Sequence, residues 1–254
     1  MRVAWVSHQW PRDDDATAEN TALLPGRYAG GAELLQDAMR SRAPAEIEWV
    51  YVDPRYDAAL DALESVDRTI VGSLDLVSDS QLQTLARHRP LVWVMSKQHP
   101  RVLPVLEAAS PLVWVSAQQR LWYPWAPDGE ECSGWFDTSE IRRESVRDGT
   151  ALWAARDHPQ KGLFKSRLWA ADRGVPFRAL TNRPRAEVLD AMSRASWFVL
   201  LANDHDPCPA ACVEAEIAGC EVITNGNVGR VPVSGPEAVA AHVESNPSRF
   251  YGWL

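Results

Sequence analysis

The chain has 254 residues, 46% of them hydrophobic, and a formal net charge of −8 at pH 7, a globular composition with room for one large or two small domains. The charge falls entirely within the first 150 residues, since eleven basic and eleven acidic side chains cancel across residues 151–254. An acidic first half is poor equipment for non-specific binding of DNA or anionic lipid, although a local basic surface is compatible with it. No apolar run approaches the roughly 20 residues that span a bilayer, and Met1-Arg2-Val3 leads into a strand-like pattern rather than a signal peptide, so a cytoplasmic protein with reduced thiols is expected.

Arg2–Ser7 reads as a first strand. A long polar loop follows, holding His8, Trp10 and the run Asp13-Asp14-Asp15, which reads as a solvated surface. Gly30 and Gly31 then open an amphipathic helix over Ala32–Met39, and two glycines there let backbone approach a ligand without side-chain interference. Strand-like runs recur at Ile47–Val52, Thr69–Gly72, Leu91–Met95 and Leu112–Ser116, with helix-like runs at Ala58–Glu64, Gln81–His88 and Arg101–Ala109 between them. Strand and helix alternating in steps of some 20–25 residues mean βαβ units and a parallel sheet. His99 follows a strand end, where parallel sheets carry functional loops, so it joins His8 as a possible active-site or acceptor-side residue. Most tryptophans (Trp5, Trp49, Trp93, Trp114, Trp197) fall inside strand-like runs and read as core, whereas Trp10, Trp122 and Trp125 lie in loops and suit stacking. Residues 122–136 are turn-rich.

The second half repeats the alternation. Strands are expected at Ala151–Ala155, Phe177–Leu180, Trp197–Leu201 and Glu221–Thr224, and helices at Leu163–Arg173, Arg185–Ser193 and Ala210–Ala218. Two strand ends carry chemistry. Ala151–Ala155 leads into Arg156, with Lys161-Gly162 five residues later; Trp197–Ala202 leads into Asn203, Asp204, His205 and Asp206, then Pro207-Cys208-Pro209 and a helix bearing Glu214. Such a strand–loop–helix corner presents backbone N–H groups and a positive dipole end, which suit phosphate. The four cysteines form no paired zinc framework, and no metal is expected.

Asp206 and Glu214, eight positions apart, with Glu214-Ala215-Glu216-Ile217-Ala218-Gly219-Cys220-Glu221-Val222-Ile223, resemble the carboxylate-seven residues-carboxylate signature of retaining, family-4-type GT-B glycosyltransferases. Pro207-Cys208-Pro209 stands where that family has Gly-Phe-Gly, Glu221 where it has proline, and Asp206 where it usually has glutamate. Arg156…Lys161-Gly162 is similar to the family's Gly-Arg…Lys-Gly element, Gly30-Gly31-Ala32-Glu33 to its opening loop, and Pro127-Asp128-Gly129…Trp135-Phe136 to its passage into the second domain.

The resemblance implies an α/β protein with two Rossmann-like domains facing a central cleft, residues 1–140 on the acceptor side and 141–254 on the donor side. It implies transfer of a sugar, with retention and without an obligatory metal or other cofactor, from a nucleotide-diphosphate sugar to an acceptor hydroxyl. Arg156 and Lys161 would stabilise the departing diphosphate, Asp206 would sit at the donor sugar, and Glu214 would hold the ribose. Gly30, Gly31, Asn203, Asp204 and Cys208 would complete the donor site. A glycan, a small molecule, a protein or a modified nucleic-acid base could each be the acceptor. Three rivals stay open: a sugar-nucleotide epimerase of the same architecture, a non-catalytic nucleotide- or partner-binding domain, and a metal-holding Asp-x-Asp reading of Asp204-His205-Asp206.

Overall fold

The structure, a computed structural model, describes residues 1–7, 41–72, 74, 77–95 and 98–254. His8, Trp10, Gly30, Gly31 and the helix expected over Ala32–Met39 lie outside the described residues.

Two parallel sheets form the frame. The first contains β1 (Arg2–Val6), β2 (Glu48–Val52), β3 (Arg68–Val71), β4 (Leu91–Val94), β5 (Leu112–Trp114) and β6 (Glu130–Glu131), in the order β2-β1-β3-β4-β5-β6. Its central strands are apolar runs buried on both faces, as crossover connections require. Period-two alternation splits their side chains. Ala4, Val6, Val71, Val92, Val94 and Trp114 pack under α1 (Asp57–Leu60), α2 (Asp79–Arg87) and α3 (Leu103–Ala108). Val3, Trp5, Ile70, Leu91, Trp93 and Val113 face the other way.

That second face is closed by the end of the chain. The last helix, α8 (Pro236–Tyr251), sets Val239, Val243 and Phe250 against Trp5, Trp93 and Trp135. Trp93 stacks on Trp135 at 5.2 Å between ring centroids, and Phe250 lies 5.0 Å from Trp93. Each such fully buried side chain contributes about 1.5–3 kcal/mol. Residues 236–254 thus follow the second sheet in sequence but pack on the first.

The second sheet holds β7 (Ala151–Ala155), β8 (Phe177–Thr181), β9 (Trp197–Leu200) and β10 (Glu221–Thr224), in the order β10-β9-β7-β8. The helix α5 (Leu163–Ala171) covers one face, while α6 (Arg185–Arg194) and α7 (Ala210–Ile217) cover the other. Arg147 ties the last two together, donating to the carbonyls of Met192, Ser193 and Ala195 and, from its other nitrogen, to Ala218. Gly219 stops α7 in the left-handed region at φ +86°, and a Cβ there would strike the Arg147 guanidinium.

Differences from the sequence expectations have local causes. The run expected as helix over Ala58–Glu64 is α1 followed by a 3₁₀ turn, Asp61–Ser65, and the run Arg101–Ala109 begins as a 3₁₀ turn, Pro100–Val102, before α3. Pro100 and Pro104 withhold N–H groups at that start, which favours the tighter turn. The strand expected over Leu112–Ser116 ends at Trp114 because Ser116 turns to cap α4 (Ala117–Leu121), its Oγ accepting from Gln119 N at 3.2 Å.

Candidate active site

β7 lies between β8 and β9 in the second sheet. The chain therefore leaves β7 and β9 in opposite directions, and the crevice at their carboxyl ends is the topological switch point where open parallel sheets bind ligands. Both motif-bearing loops open there. After β7 come Arg156 and a 3₁₀ turn, Pro159–Lys161; after β9 come Asn203 to Asp206.

Local rules fix the two loops against each other. Gly162 sits at φ +63°, and a Cβ there would come within 1.9 Å of the Leu201 carbonyl oxygen, so only glycine lets the Lys161 turn lie on β9. Asn203 N donates to Gln160 O at 2.8 Å and Asn203 Nδ2 to Pro159 O at 2.7 Å. Gln160 Nε2 reaches Asp204 Oδ2 at 3.2 Å. The result is an ion pair across the crevice, Lys161 Nζ to Asp206 Oδ2 at 2.5 Å.

These loops wall a cavity of about 260 Å³ between the two sheets. From the second half it is lined by Arg156, Lys161, Arg185, Asp206, Glu214 and the turn Pro207-Cys208-Pro209; from the first, by Met95, Val115, Ser133, Gly134 and Phe136. The N-terminus of α7 opens onto it, and Pro209 at its N-cap offers no side-chain acceptor to the first-turn N–H groups. Such an end favours negative charge.

Glu214 is buried in the cavity wall, with Oε1 accepting from Arg185 Nε at 2.7 Å. Arg185 also donates to Glu140 Oε2. Burial pushes the Glu214 carboxyl above its usual range, against the opposing pull of Arg185. Burial alone would lower Arg185, but Glu214 and Glu140 more than reverse that. Cys208 has its thiol pushed up to about 12, chiefly by burial and then by Asp206.

The halves touch around this cavity. Ser116 Oγ donates to Pro207 O at 2.6 Å, and Trp122 Nε1 to Gly226 O at 3.2 Å. The Trp122 ring stacks on His205, with centroids 4.1 Å apart and planes 6° from parallel. The contact orders the loop next to Asp206 and engages Trp122 with a side chain of this chain.

No protein-family profile matches this sequence, and no characterised protein matches it in sequence. Solved structures do match it in shape. AviGT4, a glycosyltransferase involved in avilamycin A biosynthesis, superposes with a TM-score of 0.65 at 12% identity, over 99% of this chain and 96% of that one. The fold is GT-B. Anabaena HepE in complex with UDP gives 0.57 at 11% identity, over 96% of this chain and 90% of the other. An alpha-glucosyltransferase in complex with UDP-glucose and DNA containing an abasic site gives 0.52 at 12% identity, over 99% and 91%. At these identities the GT-B likeness is one of architecture.

Within that GT-B frame, Arg156, Lys161, Asp206, Cys208 and Glu214 share one cavity wall. Asn203 and Asp204 stand outside the lining, bracing the loop that carries Asp206. His99 is exposed and away from the cavity, its Nδ1 accepting from Arg101 N at 3.3 Å at the start of a 3₁₀ turn. Among the described residues, no group of three or more His, Cys, Asp or Glu side chains is placed to hold a metal ion.

The sequence reading missed Arg185, Ser133 and Phe136. Arg185 had a usable signal, since it opens the helix that follows the carboxyl end of β8, at the same sheet edge as Arg156 after β7. Ser133 and Phe136 had none, because a turn-rich segment shows no periodicity from which to read a facing direction.

Proposed function

We propose that this protein is a glycosyltransferase that moves a sugar from a nucleotide-diphosphate donor to an acceptor hydroxyl. One observation carries the reading: two cations from the loop after β7 and two carboxylates, one from the loop after β9 and one from α7, meet in a single cavity at the switch point. Bond breaking at the anomeric carbon leaves its electrons on the diphosphate. Arg156 can hold phosphate oxygens bidentately, while Lys161 supplies a point charge against the growing negative charge. Asp206 keeps the Lys161 ammonium aimed into the crevice. Glu214 has acceptor capacity beyond the bond it takes from Arg185 and is the group we assign to the ribose hydroxyls.

The structural neighbours that bind UDP or UDP-glucose support a uridine donor. We propose retention at the anomeric carbon and no obligatory metal, since the two cations supply the electrostatic help that a metal would give. Gly30 and Gly31 are assigned to the phosphate side, and residues 1–140 to the acceptor. Four free cysteines and the absence, among the described residues, of a helix long and apolar enough to cross a membrane support the cytoplasm as its compartment.

Nucleotide release from a panel of sugar nucleotides, with and without acceptors, tests the reading. A transferase yields nucleotide plus glycosylated acceptor. An isomerised donor, or binding without turnover on every pair, would overturn it in favour of an epimerase or a binding domain.

A further inference from the structure

The helix α5 leaves two large apolar side chains outside the core. Its inward side sets Ser166, whose Oγ accepts from Leu201 N at 3.1 Å, and Ala170 against the sheet, with Leu163 and Trp169 partly buried beside them. Its outward side carries Phe164, 71% exposed, and Leu168, 45% exposed, one helical turn apart. An ordinary surface helix turns that stripe to the core. Lys165 and Arg167 are exposed on the flanks of the stripe, on either side of it at 100° per residue. Just beyond the helix end, the Arg173 guanidinium lies 4.5 Å from the Trp169 ring centroid, and Arg167 lies 5.9 Å from that of Phe177.

Charge here departs from the rest of the molecule. Residues 163–183 hold five basic side chains and one acidic, Asp172, in a chain of net −8. Arg178 points to the α6 face by strand alternation, and Arg183 lies 3.9 Å from Glu187, which leaves Lys165 and Arg167 as the basic flanks of the α5 stripe, with exposed Asp172 at its C-terminal end and Arg173 on the Trp169 side.

We propose that this face docks the protein on an anionic lipid surface. Phe164 and Leu168 enter the headgroup–acyl boundary, while the long stems of Lys165 and Arg167 spread sideways so that their charges meet lipid phosphates. A second copy of the chain fits less well, because a two-fold contact on this stripe would bring Lys165 and Arg167 against their own counterparts. The proposal does not depend on the transferase reading.

Sedimentation with vesicles, with no sugar nucleotide present, is the test. The protein is expected to pellet with vesicles of equal parts phosphatidylglycerol and phosphatidylcholine at about 0.05 M salt, to be released at about 0.5 M, and to ignore pure phosphatidylcholine. Lys165→Glu with Arg167→Glu should lower partitioning by on the order of 10²-fold, and Phe164→Ser with Leu168→Ser by roughly tenfold or more. Both variants should keep the wild-type melting temperature and bind nucleotide normally by calorimetry, which separates failure here from failure of the donor site. Failure to pellet with anionic vesicles would overturn the proposal, as would pelleting unchanged in both variants. A lipid-independent dimer abolished by Phe164→Ser would also overturn it and assign the stripe to a second copy.

Discussion

The two halves meet the cavity with opposite chemistry. Among the described residues, every charged side chain in the lining (Arg156, Lys161, Arg185, Asp206, Glu214) belongs to the second half, and the first contributes Met95, Val115, Ser133, Gly134 and Phe136. Yet the net charge of −8 resides wholly in residues 1–150. The half that carries the excess charge turns its neutral side to the cavity. Two cations facing a low-dielectric wall act on a phosphate more strongly than the same cations facing water, so the neutral wall contributes to the electrostatics of the charged one.

The sharpest way to break this contrast is to show that the wall is wet. Cys208 stands where the two surfaces meet, with its thiol pushed up to about 12 by burial and then by Asp206. At pH 8 its thiolate fraction should be roughly 10³-fold below that of an ordinary thiol. Per-residue iodoacetamide labelling, native against urea-unfolded, should show that gap, and the native rate should climb about tenfold per pH unit through pH 10. Native labelling at the unfolded rate would mean an open, hydrated cleft.

Next in size is the charged side itself. Arg156→Ala and Lys161→Ala should each lower turnover by roughly 10²-fold or more with the fold unchanged, the magnitude of losing one preorganised electrostatic partner. Wild-type turnover in either variant removes that residue from the leaving-group role. Lys161→Ala has a second readout. It leaves Asp206 without the 2.5 Å partner it has here, so nucleotide affinity should fall further than in Lys161→Ala/Asp206→Asn.

A smaller effect tests Glu214. Glu214→Gln keeps the shape and hydrogen-bonding reach but loses the charge, and it should weaken nucleotide binding about tenfold by calorimetry without acceptor, as for a charge-assisted hydrogen bond made neutral. The fold should tolerate the change, because Arg185 retains Glu140 and burial already opposes the Glu214 charge. Unchanged affinity would place the ribose elsewhere.

What the sequence made legible follows the same division. In the second half, β7 to β10 and α5 to α7 fall within about two residues of where periodicity puts them, because each strand is a short apolar run punctuated by Gly, Pro or charge. The grouping of charges in one cavity was readable too, since Arg156, Lys161 and Asp206 sit in the loops after β7 and β9, where topology and not packing decides the direction, and Glu214 lies on the helix that the second loop opens. The neutral wall was not readable. Phe136 and Ser133 face the cavity because Trp135 anchors beside Trp93 and Phe250, and α8 reaches that core from more than 100 residues away in sequence. Val239, Val243 and Phe250 do carry helical spacing, but nothing local says which sheet they will cover.

The smallest expected effect concerns how that neutral wall is held. Ser133 Oγ lies 3.1 Å from His242 Nε2 on α8, and Asn246 Nδ2 donates to Ser133 O at 2.7 Å and to Ser133 Oγ at 2.9 Å. With Asn246 occupying the hydroxyl as an acceptor, the Ser133 proton is available to His242, which can accept it only as neutral imidazole. Burial holds the His242 pKa below its ordinary 6.5, and Arg249 adds to the effect. The sign follows directly. The unfolded chain takes up this proton near pH 6.5 while the folded chain resists it, so the contribution to stability is complete above 6.5 and is lost as pH falls through the folded value. One proton allows a slope of at most about 1.4 kcal/mol per pH unit. His242→Gln offers a neutral acceptor that does not titrate, so its urea midpoint should fall less than that of the wild type between about pH 7.5 and about pH 5.5. Equal slopes in the two proteins would show that the wall of Ser133 and Gly134 does not depend on a neutral His242, and that α8 holds it through Asn246 and the aromatic core alone.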